Sequence, residues 1–153
     1  MRQLRSAREC ALSLLEHRDR TELEMRRKLR EREYGQEEIE DTITFLKDYH
    51  YLDDEAYARR YVRTASLGKS IRQIRQNLQS KGIGRDILDL CLDEECVDEE
   101  EAVRRFLRKK GYVSGADEVT EKAGKLAAAL GRRGFSYETI RRVMTELSED
   151  SIC

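Results

Sequence analysis

The chain has 153 residues, 40% of them charged and 39% apolar, and its 30 basic and 31 acidic residues leave a formal net charge of −1. It has no Pro and no Trp, and its abundant Glu, Lys, Arg and Leu favour helix. No apolar run approaches the roughly 20 residues that span a bilayer, Met1 to Cys10 are too charged for a secretory signal core, and the apolar residues recur too regularly for a disordered chain. An all-α protein of the cytoplasm is expected.

In chain order, one signature returns about every 50 residues, near the upper limit of repeat periods. Leu29 is followed at five-residue steps by Tyr34 and Ile39, Leu78 by Ile83 and then Ile87 and Leu88, and Leu130 by Phe135 and Ile140. Each Leu has an apolar residue four positions earlier, at Met25, Ile74 and Leu126. The turns hold Gly35, then Gly82 and Gly84, then Gly131 and Gly134, and Gly supplies the positive φ that ends a helix.

The first unit opens with a helix around Cys10 to His17. Thr21-Glu22-Leu23-Glu24 forms a capping box for a second helix that turns Met25 and Leu29 inward. A third helix starts near Gln36 and carries Ile39, Ile43 and Leu46 on one stripe. In the second unit Asp53 or Asp54 caps a helix whose inner side is Tyr57 and Tyr61, with Ala58 and Val62 beside them, and Gly68 stops it. Ser70-Ile71-Arg72-Gln73 is a second capping box, and Ile87, Leu88 and Cys91 mark the helix after Gly84. The third unit opens with acidic residues at a helix N-terminus, from Asp93 to Glu101, where the macrodipole favours them. A longer loop, Tyr112 to Ala116, leads to a helix over Asp117 to Leu130. Ser136 caps the last helix, and Ser148 to Cys153 are expected to fray. One such unit cannot bury both sides of its helices, whereas stacked units share a core. The expected fold is therefore all-α: three tandem three-helix repeats, residues 1–52, 53–97 and 98–153, stacked into an elongated, curved body.

Charge is unevenly spread. Between Glu55 and Asp86 there is no acidic residue, while Arg59, Arg60, Arg63, Lys69, Arg72, Arg75, Lys81 and Arg85 all lie there. Arg72, Arg75 and Gln79 share a helix face apart from the inward Ile71, Ile74 and Leu78. A one-signed stretch on helices points to an anionic partner; the alternative is a solvated helical face.

The first unit reads Arg18-x-Arg20-Thr21-Glu22-x-Glu24-Met25-x-x-Lys28-Leu29. The second reads Tyr51-Leu52-Asp53-Asp54 with Ala56 and Ala58, then Ile74-Arg75-Gln76-x-Leu78-x-x-Lys81-Gly82-Ile83. This combination resembles the RecX family of bacterial recombination regulators, whose first unit reads R-x-R-S-E-x-E-L-x-x-K-L. The likeness covers residues 8 to 92 closely and the third unit by pattern and order. Ser70 stands where the family often has Gly. The resemblance implies a regulator that binds the RecA recombinase, above all RecA filaments on single-stranded DNA; a monomer is expected. It would limit recombinase, ATPase and coprotease activities in DNA repair. The eight basic residues would then meet either DNA phosphates or acidic patches on RecA.

Other chemistries find little footing. Gly68-Lys69-Ser70 ends like a phosphate-binding loop, but the required Gly five residues earlier is Arg63, inside a helix. Cys10, Cys91, Cys96 and Cys153 form no C-x-x-C pair, and His17 and His50 stand alone, so neither a metal nor another cofactor is expected and the thiols are expected to be reduced. No nucleophile or metalloprotease motif occurs, so the chain is not expected to be an enzyme. The competing reading is a DNA-binding protein that acts without RecA through helix-turn-helix-like modules.

Overall fold

The computed structural model describes residues 5–112 and 119–150. Among the described residues there are nine helices and no strand. They are α1 (Ala7–His17), α2 (Glu22–Glu31), α3 (Gln36–Asp48), α4 (Asp54–Ala65), α5 (Ile71–Ser80), α6 (Arg85–Glu94), α7 (Glu99–Lys109), α8 (Val119–Arg132) and α9 (Tyr137–Asp150). From residue 113 on, the expected long loop and the helix start at Asp117 lie outside the described residues, as does Cys153. Ser148, placed in a fraying end by its polar surroundings, instead belongs to α9, where its hydroxyl donates to Met144 O at 2.9 Å.

The recurrent positions are core. Leu29, Leu78 and Leu130 are fully buried, as are Ile39 and Leu88, and Tyr34, Ile83, Phe135 and Ile140 are nearly so. Burying one Leu or Ile side chain contributes about 1.5–3 kcal/mol, so these nine positions are the backbone of the repeat. In the second trio it is Leu88 that completes the five-residue step, while Ile87 is half-buried. The inner stripe of α4 is Ala58 and Val62, both fully buried; Tyr57 and Tyr61 flank it, half-buried. Their phenol oxygens need polar partners, which is why the smaller pair takes the core.

The helices gather into two compact units: the described residues of Met1–Arg60 with Leu78–Cys91, and those of Tyr61–Asn77 with Leu92–Cys153. The division runs through the middle trio. In the first unit Thr21 forms the capping box, accepting from Glu24 N at 3.2 Å while Glu24 accepts from Thr21 N at 3.0 Å. The same hydroxyl, fully buried, donates to Lys81 O at 2.6 Å. Asp53 caps α4 through Ala56 N, and this frees Asp54 to accept from Glu22 N at 2.9 Å. Gly82, with φ of +87°, sits against Leu23: a Cβ added there would lie 2.5 Å from Leu23 Cβ.

The second unit repeats these contacts. Ser70 is fully buried, accepts from Gln73 N at 3.1 Å and donates to Arg133 O at 2.6 Å. Glu99 accepts from Ile71 N at 2.6 Å. Gly134, with φ of +95°, would place a Cβ 2.8 Å from Ser70 Oγ. The capping hydroxyl of one trio's second helix thus holds the turn of the next trio, twice. In the first trio Glu33, with φ of 67°, takes the position that Gly82 and Gly134 fill. Gly35 is instead the N-cap of α3, with φ of −70°; the expectation that it supplied the positive φ fails because Glu33 already makes the left-handed turn and an N-cap takes extended backbone.

Candidate functional site

The acid-free interval of sequence is not acid-free in space. Within the first unit, Arg59 pairs with Glu55 one turn earlier at 2.8 Å, and Arg60 reaches Asp19 at 2.9 Å. Lys81 donates to the Tyr57 hydroxyl at 3.0 Å, with its ammonium 5.6 Å from the ring centroid. That hydrogen bond holds the Lys81 pKa above the ordinary lysine value. Arg85, the first residue of α6, is exposed and has no carboxylate against it among the described residues.

Within the second unit, Arg63 meets Glu95 with two parallel bonds, 2.9 and 3.2 Å. Lys69 donates to the Tyr61 hydroxyl at 3.3 Å and lies over its ring. Arg75 is half-buried and engaged within the protein. Arg72 is exposed in the first turn of α5 and has no carboxylate partner among the described residues. Three of the eight cations are therefore neutralised by acids from Asp19, Glu55 and Glu95, two rest on tyrosines, and Arg72 and Arg85 keep unbalanced charge. Both stand in the first turn of a helix, where a cation opposes the macrodipole at about 0.3–1 kcal/mol. The combined positive potential of guanidinium and helix end attracts an anion.

Two further cations escaped the sequence reading. Arg133 lies with its guanidinium 4.7 Å from the Phe106 ring centroid, and Lys110 Nζ is 5.8 Å from the same ring. Neither has a carboxylate partner among the described residues. Arg72 packs its Cβ and Cδ against Gly134, next in the chain to Arg133. A guanidinium that lies over a ring and has no carboxylate partner keeps N–H donors for phosphate or carboxylate. The signal was present in the repeat: Arg32, Lys81 and Arg133 each precede the positive-φ residue of their turn.

The loop that ends like a phosphate-binding motif is accounted for. Ser70, the residue that would face a metal-bound phosphate, has its hydroxyl committed to Gln73 N and Arg133 O. Among the described residues no three His, Cys, Asp or Glu side chains come together as metal ligands. Nor is any helix among them long and apolar enough to cross a membrane. Cys10 and Cys91 are buried free thiols and Cys96 an exposed one.

Family models match the chain along its length. The RecX first three-helix domain matches residues 7–46, the second 53–92 and the third 98–144. The chain belongs to the RecX family. These matches coincide with α1–α3, α4–α6 and α7–α9. A regulatory protein RecX of Vibrio campbellii is 35% identical over 146 residues, which cover 95% of this chain and 94% of that protein. One of Clostridioides difficile is 34% identical over 144 residues, covering 92% and 68%. The crystal structure of RecX from Lactobacillus salivarius superposes with a TM-score of 0.72 at 27% identity, covering 92% of this chain and 94% of that one. RecX relatives are named as regulatory proteins, and the tandem trihelical fold is theirs.

Proposed function

We propose that this chain binds the RecA recombinase, chiefly as filaments on single-stranded DNA, and restrains its recombinase, ATPase and coprotease activities without catalysing a reaction itself. The observation that carries this is the RecX family match across all three trihelical domains. Three features support it. The hydroxyl of the one phosphate-loop-like segment is occupied by structural hydrogen bonds. Arg72, Arg85, Arg133 and Lys110 keep positive charge without carboxylate partners among the described residues. Tandem modules, taken as 1–52, 53–97 and 98–153, offer several points of attachment to a polymer, and linked contacts raise avidity without any single strong one. The protein acts as a monomer in the cytoplasm, where RecA works.

Co-sedimentation tests this reading. The chain is mixed with RecA assembled on single-stranded DNA, with RecA alone and with the DNA alone. Pelleting with the assembled filament beyond that with DNA alone is the expected result. Equal binding to DNA with and without RecA would instead favour a DNA-binding protein that acts independently. Binding to none of the three would overturn the proposal.

A further inference from the structure

The chain has seven Tyr, three Phe and no Trp, and three of these rings lie together on the first unit. Phe45 and Tyr49 have centroids 5.0 Å apart; Tyr51 is 6.3 Å from each, with its plane within 22° of the Tyr49 plane. Phe45 is partly buried against the core, but Tyr49 and Tyr51 are 65% and 54% exposed. Local backbone sets this arrangement. Tyr49 is the C-cap of α3, His50 turns with φ of 61°, and Tyr51 N returns to Leu46 O at 2.8 Å. A non-Gly residue in that region is held at a cost of about 1–3 kcal/mol, and here it brings two phenol rings beside each other. Arg8, fixed by Asp41 at 3.0 Å, lies 4.4 Å from the Phe45 centroid and steadies the shelf from one end.

Tyr51 also lines a cleft of about 330 Å³ with Arg20, His50, Asp53, Tyr57 and the paired Asp19 and Arg60, within the range of small-ligand sites. Its lining is polar. Arg20 donates to Leu14 O at 3.4 Å rather than to a carboxylate, and Tyr57 joins the cleft to Lys81. Exposed parallel rings beside a cleft of guanidiniums, hydroxyls and carboxylates fit one occupant best. Bases stack on rings whatever their sequence, their edges hydrogen-bond to Tyr, Asp and Arg, and a phosphate meets Arg20, which has no carboxylate partner among the described residues. An apolar peptide would leave the cleft's polar groups unpaired.

We infer that Tyr49 and Tyr51 form a base-stacking shelf for single-stranded nucleic acid, with the adjoining cleft taking the neighbouring nucleotide. This deepens the reading of a protein that works on DNA-bound filaments, and it is tested without RecA so that the two can fail separately. With no Trp, protein emission comes from tyrosine, which a stacked base quenches. Titrating the full chain with oligothymidylate should quench tyrosine emission. Labelled oligothymidylate should bind the Tyr49→Ala/Tyr51→Ala variant on the order of 5- to 100-fold more weakly, with the helical circular dichroism unchanged. The Tyr49→Phe/Tyr51→Phe variant, which keeps the rings, should retain binding. An alanine variant that binds as tightly as the parent, or an abasic oligonucleotide that binds as well as oligothymidylate, overturns the inference. So does loss of RecA-filament binding by the alanine variant with oligothymidylate binding intact, which would make the rings a protein-docking surface. Absence of any oligothymidylate binding by the parent chain also overturns it, while leaving the co-sedimentation result to stand or fall alone.

Discussion

Replacing Gly82 by Ala tests the contact between trios at its narrowest point. Two penalties add. The residue holds φ of +87°, and an L-residue in the left-handed region costs roughly 1–2 kcal/mol. The new methyl would lie 2.5 Å from Leu23 Cβ and 2.9 Å from Leu23 Cδ2. Leu23 Cβ is fixed to the backbone of α2, so relief requires a backbone shift, and overpacking of this kind costs about 1–3 kcal/mol. Reduced freedom of the unfolded chain returns about 0.4–1 kcal/mol. The net expectation is a loss of about 1–5 kcal/mol, a sizeable part of the roughly 5–15 kcal/mol that holds a typical domain together. Gly35→Ala is the control: its φ is −70° and nothing lies within 4 Å of the added methyl, so the cost is the change of an N-cap residue, under about 1 kcal/mol. Urea unfolding followed by circular dichroism at 222 nm compares the two. Equal midpoints for Gly82→Ala and Gly35→Ala would refute the reasoning.

Three further outcomes are expected. Thr21→Val should lose about 1–3 kcal/mol, because Lys81 O and Glu24 N both lose the buried hydroxyl, whereas Thr21→Ser should recover most of it; equal denaturation midpoints for the two variants would contradict this. For Glu24, burial raises the carboxyl pKa, but the Thr21 amide and the Lys81 and Arg18 charges outweigh burial and hold it below the ordinary value. A lowered folded pKa gives stability that is present above the unfolded carboxyl pKa and lost as pH falls through the folded one, so the gap between the parent and Glu24→Gln in urea should narrow on acidification, and a constant gap would sink the assignment. Arg72→Glu/Arg85→Glu should fold normally, since both side chains are exposed, yet release RecA–DNA filaments more readily in sedimentation; undiminished pelleting would reduce these residues to solvated charge.

Most of the fold was legible because apolar spacing is a local property. Met25 and Leu29, Ile74 and Leu78, and Leu126 and Leu130 all face inward as their four-residue steps require. The capping box at Thr21 was legible for the same reason, as was the Ser70 cap, although there only the Ser70 hydroxyl takes part and Gln73 does not reach back. Their second role was not: the hydroxyls also donate to Lys81 O and Arg133 O, about 60 residues on, and nothing near Thr21 in sequence announces that. Periodicity placed Tyr57 and Tyr61 inside because it ranks apolar area, whereas burial of a phenol depends on a partner for its oxygen. The basic interval was read as one field because sequence shows charge only along the chain. Asp19 and Glu95, from outside that interval, neutralise Arg60 and Arg63, and the cations left unbalanced include Arg133 and Lys110 of the third trio.

The central claim, that this member of the RecX family restrains RecA, is tested most directly by steady-state ATP hydrolysis. RecA saturated with single-stranded DNA is titrated with the purified chain, and phosphate release is followed against a reaction without RecA. The account predicts that hydrolysis falls progressively as the chain is added, that the chain alone releases no phosphate, and that Arg72→Glu/Arg85→Glu needs a higher concentration for the same effect. An unchanged RecA rate with the chain in excess over the filament would contradict it.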